Sequence, residues 1–228
     1  MPAPPVCIRA APRQIGGMDR RTLLTLLPLT ALLAAAAPAP APLTPADRAD
    51  LARVQAYLNG IHTLKAHFLQ VAPNGAISQG TAWMERPGRM RFQYDPPSPL
   101  LLVAGYGLFV FYDRELRQVT NIPLGSTPLG LLLRKEITLS GGITVTGFSR
   151  QPGQIEVTLV KTDSPGDGSL TLVFADNPLA LRQWVVTDAQ RRETTVTLYN
   201  VELGGTFDQD MFTLVDPKDY PGQDKYYH

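Results

Sequence analysis

Short stretches in which apolar and polar residues alternate, separated by turn residues, make up most of the chain between His62 and Leu203. A period of two is typical of β-strands, because successive side chains point to opposite faces of a sheet. Short strands that follow one another across turns predict an antiparallel meander. We predict eleven strands, one beginning at 62 and the others at 76–86, 90–94, 100–104, 108–112, 116–120, 143–148, 155–161, 169–174, 181–188 and 193–203.

So many strands in one sheet tend to curl. We therefore predict a mainly β fold, in which a curled antiparallel sheet of about eleven strands forms an unclosed β-barrel with a concave face. If helices cover that face without filling it, a deep apolar pocket remains.

Two segments of the chain depart from the strand pattern. Thr44 can cap a helix that Asn59-Gly60 ends, with apolar residues at helical spacing at Leu51, Val54, Leu58 and Ile61. The second segment is 121–136, where Pro123, Gly125 and Pro128 frame the apolar run Leu129–Leu133. We interpret this run as a short helical lid over the concave face, with an additional strand as the alternative.

The stretch from Trp83 to Tyr94 has one apolar and one cationic face. Met90, Phe92 and Tyr94 alternate with Arg89, Arg91 and Gln93. Alternation alone does not distinguish core packing from the wall of a pocket. Arg86, at the end of the preceding strand, is either an exposed arginine or a latch whose five donors bind carbonyl groups of the lid.

The N-terminal region has the pattern of a secretory signal. The pair Arg20-Arg21 precedes an apolar run from Leu23 to Ala37 that ends in small residues, and Met18 is the expected start. We predict a signal peptide over 1–36, a Pro/Ala linker over 37–45, the functional domain over 46–217 and a polar tail over 218–228. A soluble exported protein is expected, with an uncleaved anchor as the alternative; plain Sec-type export is favoured over twin-arginine export.

Charge and cysteine content exclude several classes of function. The first 36 residues hold four arginines and one aspartate; without them, the 21 basic and 20 acidic residues become 17 and 19. Near-neutral charge gives no electrostatic basis for binding nucleic acid. The single cysteine, Cys7, lies in the predicted leader, so the mature protein has no disulfide, thiol nucleophile or lipid-anchoring cysteine.

The mature chain offers little for catalysis. His62 and His67 are an odd number of residues apart in one strand and face opposite sides, and His228 lies in the tail. No nucleophile elbow, zinc-protease motif or P-loop is present. We predict a protein without enzymatic activity, metal or cofactor.

After the amphipathic first helix, several motifs follow one another along the chain: Phe68-Leu69-Gln70, Gly80–Trp83 leading into Arg86-Pro87, Arg91–Tyr94 before Asp95-Pro96, Leu102–Asp113, Thr127-Pro128-Leu129, Asp188 before a turn, and Phe207–Val215. In this order they resemble the LolA family of periplasmic outer-membrane lipoprotein carriers. One position departs from the family, where Tyr106-Gly107 replaces the usual aspartate-glycine pair.

The resemblance implies an unclosed β-barrel whose helical lid opens to admit the acyl chains of a lipoprotein. The family arginine that holds the lid falls on Arg86, and Gly130 is expected to loosen the lid. Family cavity positions fall on the strand of Phe92. We predict an acyl-chain pocket formed by Phe68, Trp83, Met90, Phe92, Tyr94, Val103, Phe109, Phe111, Leu129 and Leu132.

By this resemblance the protein is expected to be a monomeric periplasmic carrier. It would take acylated lipoproteins from an inner-membrane exporter complex to an outer-membrane receptor. The related receptor LolB carries a lipid on an N-terminal cysteine, which this chain lacks, so the carrier is favoured. The alternative is a periplasmic sensor or regulatory module that binds lipid or lipoprotein on the same scaffold.

Overall fold

The computed structural model of the protein describes residues 43–214. The predicted signal peptide, residues 37–42 of the predicted linker and the predicted polar tail lie outside the described residues. Among the described residues no helix is long and apolar enough to cross a membrane.

One α-helix precedes eleven strands in the described chain. The elements are α1 (Pro45–Gly60), β1 (Thr63–Val71), β2 (Ile77–Glu85), β3 (Arg89–Tyr94), β4 (Leu100–Gly105), β5 (Leu108–Asp113), β6 (Gln118–Pro123), β7 (Ile143–Gln151), β8 (Gln154–Lys161), β9 (Gly168–Ala175), β10 (Ala180–Asp188) and β11 (Glu193–Leu203). Short 3₁₀ helices lie at Leu124–Ser126, Pro128–Leu133, Pro165–Asp167 and Gln209–Phe212.

All eleven strands belong to one antiparallel sheet, in the order β6-β5-β4-β3-β2-β1-β11-β10-β9-β8-β7. Every neighbour is also a neighbour in sequence except β1 and β11, which pair through Phe68 and Leu198. The two edge strands, β6 and β7, are therefore joined by the segment between them. The predicted mainly β fold with an unclosed, curled sheet is confirmed.

The helix α1 begins where the sequence predicts. Thr44 is its N-cap and forms a capping box with Asp47, in which the Asp47 backbone N–H donates to Thr44 Oγ1 at 3.2 Å and the Thr44 N–H donates to Asp47 Oδ2 at 2.8 Å. The buried side of the helix, Leu51, Val54 and Leu58, packs into the main core. The helix is thus one of the covers of the concave face.

The segment 124–136, which we call the lid, forms two 3₁₀ turns at Leu124–Ser126 and Pro128–Leu133. The helical interpretation is therefore right, and the alternative strand does not form. Leu131, Leu132 and Leu133 are buried, and the second turn contacts β8, β9 and β10. The lid connects the two edges of the sheet and lies over its concave face.

One strand forms later than predicted. The sixth strand was expected at 116–120 but is Gln118–Pro123. The carboxylate of Asp113 accepts the backbone N–H groups of Glu115 and Leu116 at 2.9 Å each, and Arg117 has φ 50°. This turn occupies the residues that the apolar Leu116 suggested were strand.

A buried ion network attaches α1 to the far edge of the sheet. The carboxylate of Asp50 on α1 binds Arg53 at 2.7 Å and also binds Arg150 on β7. Asp176, in the turn after β9, binds the same two arginines at 3.1 and 2.9 Å. Both carboxylates are buried, with 4% and 5% exposure. The charges are therefore compensated by hydrogen bonds, as burial requires.

Candidate functional site

A cavity of about 230 Å³ lies on the concave face, between the lid and two groups of strands. Its walls are mostly apolar and come from β3–β5 on one side, β10 and β11 on the other, and the start of the lid. The lining residues are Gln70, Phe92, Tyr94, Leu102, Phe109, Phe111, Thr127, Leu129, Trp184, Val186, Thr194 and Val196.

Five of the ten predicted pocket residues line this cavity: Phe92, Tyr94, Phe109, Phe111 and Leu129. Phe111 is 41% exposed and Phe109 only 2%, so the cavity runs from the surface at Phe111 towards the core. The sequence therefore locates the main apolar wall on β3 and β5.

Three more predicted residues lie on the concave side but in the packed core beside the cavity. Phe68, Met90 and Leu132 belong to the main core cluster and are at most 2% exposed. The Phe68 ring packs edge-on against Phe92 and Tyr94, with centroids 4.8 and 5.1 Å apart. Phe68 thus packs against two aromatic residues of the cavity wall.

Trp83 and Val103 are not at the cavity, and for these two the expected placement is wrong. Trp83 follows Ala82 on β2, so it lies on the opposite face, where its cross-strand partners are Lys65 and Arg91. Val103 belongs to a separate small cluster with Leu101 and Tyr112, which Val119 and Leu214 also contact. That part of the convex face is apolar because the end of the described chain covers it.

Seven lining residues were not predicted: Gln70, Leu102, Thr127, Trp184, Val186, Thr194 and Val196. Trp184 and Val196 are direct partners across β10 and β11. Trp184 meets Phe92 edge-on, with centroids 6.1 Å apart. Alternation on β10 already predicted that Trp184 and Val186 share one face of the strand. It did not predict which face of the sheet is concave.

Polar groups are few in the cavity wall, and two of them are bonded within the protein. Tyr94 Oη donates to Gln70 Oε1 at 2.9 Å, and Thr127 Oγ1 donates to the carbonyl of Leu124 at 3.1 Å. Burial raises the pKa of the Tyr94 hydroxyl to about 12, against a smaller opposing effect of its hydrogen bond with Gln70. Tyr94 is therefore neutral at physiological pH, and the wall carries no charge there.

Arg86 joins the lid to the end of α1. Its Nε donates to the carbonyl of Arg134 at 2.8 Å, and Nη2 donates to the carbonyl of Lys135 at 3.2 Å. Nη1 donates to the carbonyl of Leu58 and, at 3.1 Å, to that of Ile61. The guanidinium thus binds backbone carbonyls at the last turn of the helix and at the end of the lid.

Further contacts fix the same corner. Asn59 exchanges two hydrogen bonds of 2.9 Å with the backbone of Ile137 and also accepts from Arg86 Nη2 at 3.3 Å. The Gly88 N–H donates to the carbonyl of Leu133 at 2.9 Å. Burial lowers the pKa of the Arg86 guanidinium from its ordinary value, yet arginine keeps its charge in proteins.

Gly130 does not loosen the lid, contrary to the expectation. A Cβ at this position would lie 2.2 Å from the carbonyl oxygen of Leu124. The Gly130 N–H donates to the Thr127 carbonyl and hydroxyl, at 3.2 Å each. Glycine therefore permits the two lid turns to pack tightly.

His62 and His67 form no metal site in the described part of the chain. His62 Nδ1 lies 3.1 Å from the carbonyl of Gly60, and His67 stacks on Tyr199. Residues 43–214 contain no group of three or more histidine, cysteine, aspartate or glutamate side chains arranged to hold a metal ion.

The curled sheet, the helical lid and the apolar cavity beneath it define a carrier or binding protein for an apolar ligand. The sequence model of the family described as "Outer membrane lipoprotein carrier protein LolA" matches residues 59–215. This match covers more than half of the chain, and the chain belongs to the LolA family.

Sequence relatives named outer-membrane lipoprotein carrier protein agree with this assignment. The protein of Methylococcus capsulatus is 28% identical over 181 residues, covering 75% of this chain and 86% of its own. That of Chromobacterium violaceum is 29% identical over 199 residues, covering 84% and 95%.

Solved structures to which the chain shows similarity include a DUF1329 family protein from Desulfovibrio piger and a LolA superfamily protein from Nitrosomonas europaea. The first has a TM-score of 0.47 at 9% identity and covers 72% of this chain and 95% of its own. The second has a TM-score of 0.41 at 7% identity and covers 72% and 97%.

Proposed function

We propose that this protein is a periplasmic carrier that holds the acyl chains of lipoproteins in the cavity beneath the lid and moves lipoproteins from the inner to the outer membrane. Membership of the LolA family supports the role. The main structural support is an apolar cavity with the lid as one of its walls. Side-chain hydrogen bonds to backbone carbonyls hold this lid in place.

The size of the cavity indicates that loading requires the lid to move. A volume of about 230 Å³ is below the roughly 300–1,000 Å³ usual for small-molecule pockets. It is too small for several long acyl chains. In this proposal the structure is the closed form, and the lid turn that contributes Thr127 and Leu129 moves to enlarge the cavity.

A closed form held by hydrogen bonds helps the carrier to release its cargo. Burying a methylene group yields about 0.8 kcal/mol. Full burial of two or three long chains would exceed the practical limit of about 20 kcal/mol for non-covalent binding. The Arg86 contacts stabilise the empty, closed state. The apparent affinity for lipoprotein is then the affinity of the open form multiplied by the fraction of molecules that are open.

The proposal extends to the partners and to the reaction. Acylated lipoproteins are the cargo, an inner-membrane exporter complex supplies them and an outer-membrane receptor accepts them. The carrier works as a monomer, is exported with cleavage of its signal peptide, and catalyses no reaction of its own. Energy for loading comes from a partner.

The Arg86→Leu variant tests the latch. Without the guanidinium the closed form loses its hydrogen bonds, so the variant should fold, capture lipoprotein and retain it. The measurement is transfer of a labelled lipoprotein from the purified carrier to outer-membrane vesicles. Arg192→Leu, which removes an exposed arginine whose side chain contacts Asp188 and Gln190, is the matched control and should transfer normally. Normal transfer by Arg86→Leu would reject the latch.

The Phe92→Asp variant tests the cavity itself. A carboxylate in the apolar wall is costly to bury, so capture of a palmitoylated peptide should be lost. Gln93→Asp, one residue along β3 on the convex face, is the control and should bind. Unchanged capture by Phe92→Asp would place the site elsewhere, and capture without transfer between membranes would favour the sensor.

A further inference from the structure

One side chain that lines the cavity carries a polar atom without a partner in the described residues. Trp184 lines the cavity and is 3% exposed. Its Nε1 atom is buried and donates to no acceptor in the part of the chain that the structure describes. The other such nitrogen atoms there belong to Arg89 and Arg114, which do not line the cavity.

An indole N–H can only donate, and a buried donor without an acceptor costs free energy. No acceptor of the described residues lies within hydrogen-bond reach of it. Hydrocarbon cannot satisfy this donor. The carbonyl oxygen at the head of an acyl chain, whether in an ester or in an amide, can do so.

We propose that, once the lid has moved to admit the lipid, Trp184 Nε1–H donates to an acyl carbonyl, so that the cavity recognises the ester or amide end of the chain as well as its hydrocarbon. This inference rests on the proposed carrier function. It makes Trp184 a specificity-determining residue, with Phe92 packed on the edge of its ring.

Two matched pairs of probes test the donor. The ester pair is 1-palmitoyl and 1-hexadecyl lysophosphatidylcholine, and the amide pair is an N-palmitoyl and an N-hexadecyl peptide. Trp184→Phe should lower the preference for the carbonyl member of at least one pair by about three- to tenfold, the size of one hydrogen bond. Comparing members within a pair cancels the change in packing, and the pair that responds identifies the carbonyl.

Trp83→Phe is the control, because Trp83 lies on the opposite face of the sheet. In that variant Trp184 is the only remaining tryptophan of the two in the chain, and its emission should shift on binding the carbonyl probe but less on binding its ether or alkyl partner. Equal loss for both members of both pairs, or no loss, would overturn the proposal. Failure of the unaltered protein to bind any probe would instead reject acyl binding.

A second, independent observation concerns the gap between the two sheet edges. Lys161 ends β8 on the concave side, in line with Ile155, Val157 and Leu159, and is 9% exposed. Its Nζ donates to the carbonyl of Gly125 at 2.7 Å and pairs with Asp167. A lysine among core residues is thus bound to the first turn of the lid.

The Lys161 contact crosses the opening of the barrel. Gly125 lies in the 3₁₀ turn that follows edge strand β6, whereas β8 lies beside edge strand β7. The same lid turn is held from the other side, since the Leu124 N–H donates to the carbonyl of Gly107 at 2.8 Å. Within the lid, Arg86 binds the opposite end, at the carbonyls of Arg134 and Lys135.

The structure assigns to Lys161 the role of a second fastener, which holds the first lid turn across the gap while Arg86 holds the last residues of the lid. Asp167 keeps the ammonium group in place. Opening of the cavity then requires both cations to release backbone carbonyls, which deepens the proposed lid mechanism.

Hydrogen exchange of the empty protein, followed amide by amide by NMR, tests the fastener without any lipoprotein. In Lys161→Met the Thr127 and Gly130 amides should exchange at least about tenfold faster, as expected for the loss of one charge-assisted hydrogen bond. The Ile137 and Leu139 amides, which Asn59 and Gln55 hold, should change little. Arg86→Leu should give the reverse pattern.

Lys65→Met is the control, because Lys65 is 43% exposed and forms only a 3.9 Å pair with Glu202. Its lid amides should exchange as in the unaltered protein. Unchanged exchange at Thr127 and Gly130 in Lys161→Met would overturn the proposal. A uniform increase that includes sheet amides such as Leu172 would also overturn it, because the lysine would then only stabilise the fold.

Discussion

The two halves of the concave face have the same sequence pattern but different packing. On β8 and β9, which we call the packed half, Ile155, Val157 and Leu172 are completely buried. On β3–β5, the cavity half, Phe92 and Phe111 alternate in the same way but border about 230 Å³ of open space. A strand pattern thus identifies a face that needs a cover, and the cover decides whether core or pocket results.

The covers explain the difference. The second lid turn lies on β8, β9 and β10, and Tyr57 of α1 meets Phe174 of β9 edge-on at 5.9 Å. Over the cavity half the lid contributes Thr127 and Leu129 at the wall. We therefore expect stability to depend mainly on the packed half, and the proposed ligand binding on the cavity half.

The largest expected effect is a loss of stability when a core residue of the packed half is truncated. Phe174→Ala removes a fully buried ring from the packed half and should lower the free energy of unfolding by about 3–5 kcal/mol. Urea unfolding monitored by circular dichroism measures it. A loss below about 1 kcal/mol would show that the packed half is less tightly packed than the structure indicates.

The next effect concerns the lid that spans both halves. Gly130→Ala places a methyl group 2.2 Å from the Leu124 carbonyl oxygen, so the two lid turns must separate, at a cost of about 1–3 kcal/mol. Uptake of an apolar fluorescent dye should become faster. The control is Gly125→Ala, where an added Cβ meets nothing within 4 Å; equal behaviour of the two variants would contradict the tight lid.

The ion network of α1 should give the packed half an acid-sensitive stability. Burial alone would raise the pKa of Asp50, but the hydrogen bonds and charges of Arg150 and Arg53 outweigh it and hold the pKa below the ordinary 3.8. The unfolded chain then binds more protons than the folded one. The contribution is therefore complete above the unfolded pKa and is lost as the pH falls through the lowered folded pKa.

Asp50→Asn measures this contribution. At pH 7 the variant should be less stable by about 1–2 kcal/mol, a modest value because both arginines are partly exposed. The difference from the unaltered protein should shrink at pH 3. Urea unfolding at both pH values gives it, and a difference independent of pH would exclude the carboxylate charge as its cause.

The smallest effect on stability should come from the cavity half. Phe111→Ala removes a ring that is 41% exposed, so the free energy of unfolding should change by about 1 kcal/mol or less. Binding of a palmitoylated peptide should weaken nevertheless, because Phe111 lines the outer end of the cavity. Fluorescence titration beside urea unfolding checks both, and a large loss of stability without loss of binding would reverse the roles of the halves.

Local pattern made much of the fold predictable. The capping box at Thr44, the strand alternation and the turn residues between strands depend on neighbours in sequence. For the lid, the sequence favoured a short helix but left a strand open, and the structure decided for two 3₁₀ turns. The sixth strand was misplaced since Asp113 forms a turn that hydrophobicity does not reveal.

The sequence by itself determined an eleven-strand curled sheet, one capped helix, an apolar segment at 129–133, and an apolar face on β3 and β5; the family resemblance assigned that face to a pocket wall. Tertiary structure alone decided that Trp184 faces Phe92, that Lys161 reaches Gly125, and that Val103 lies under the end of the described chain. Alternation divides each strand into two faces, but only the pairing and curvature of the sheet decide which face is concave. The covers that close over that face then decide which apolar residues become core and which line the cavity.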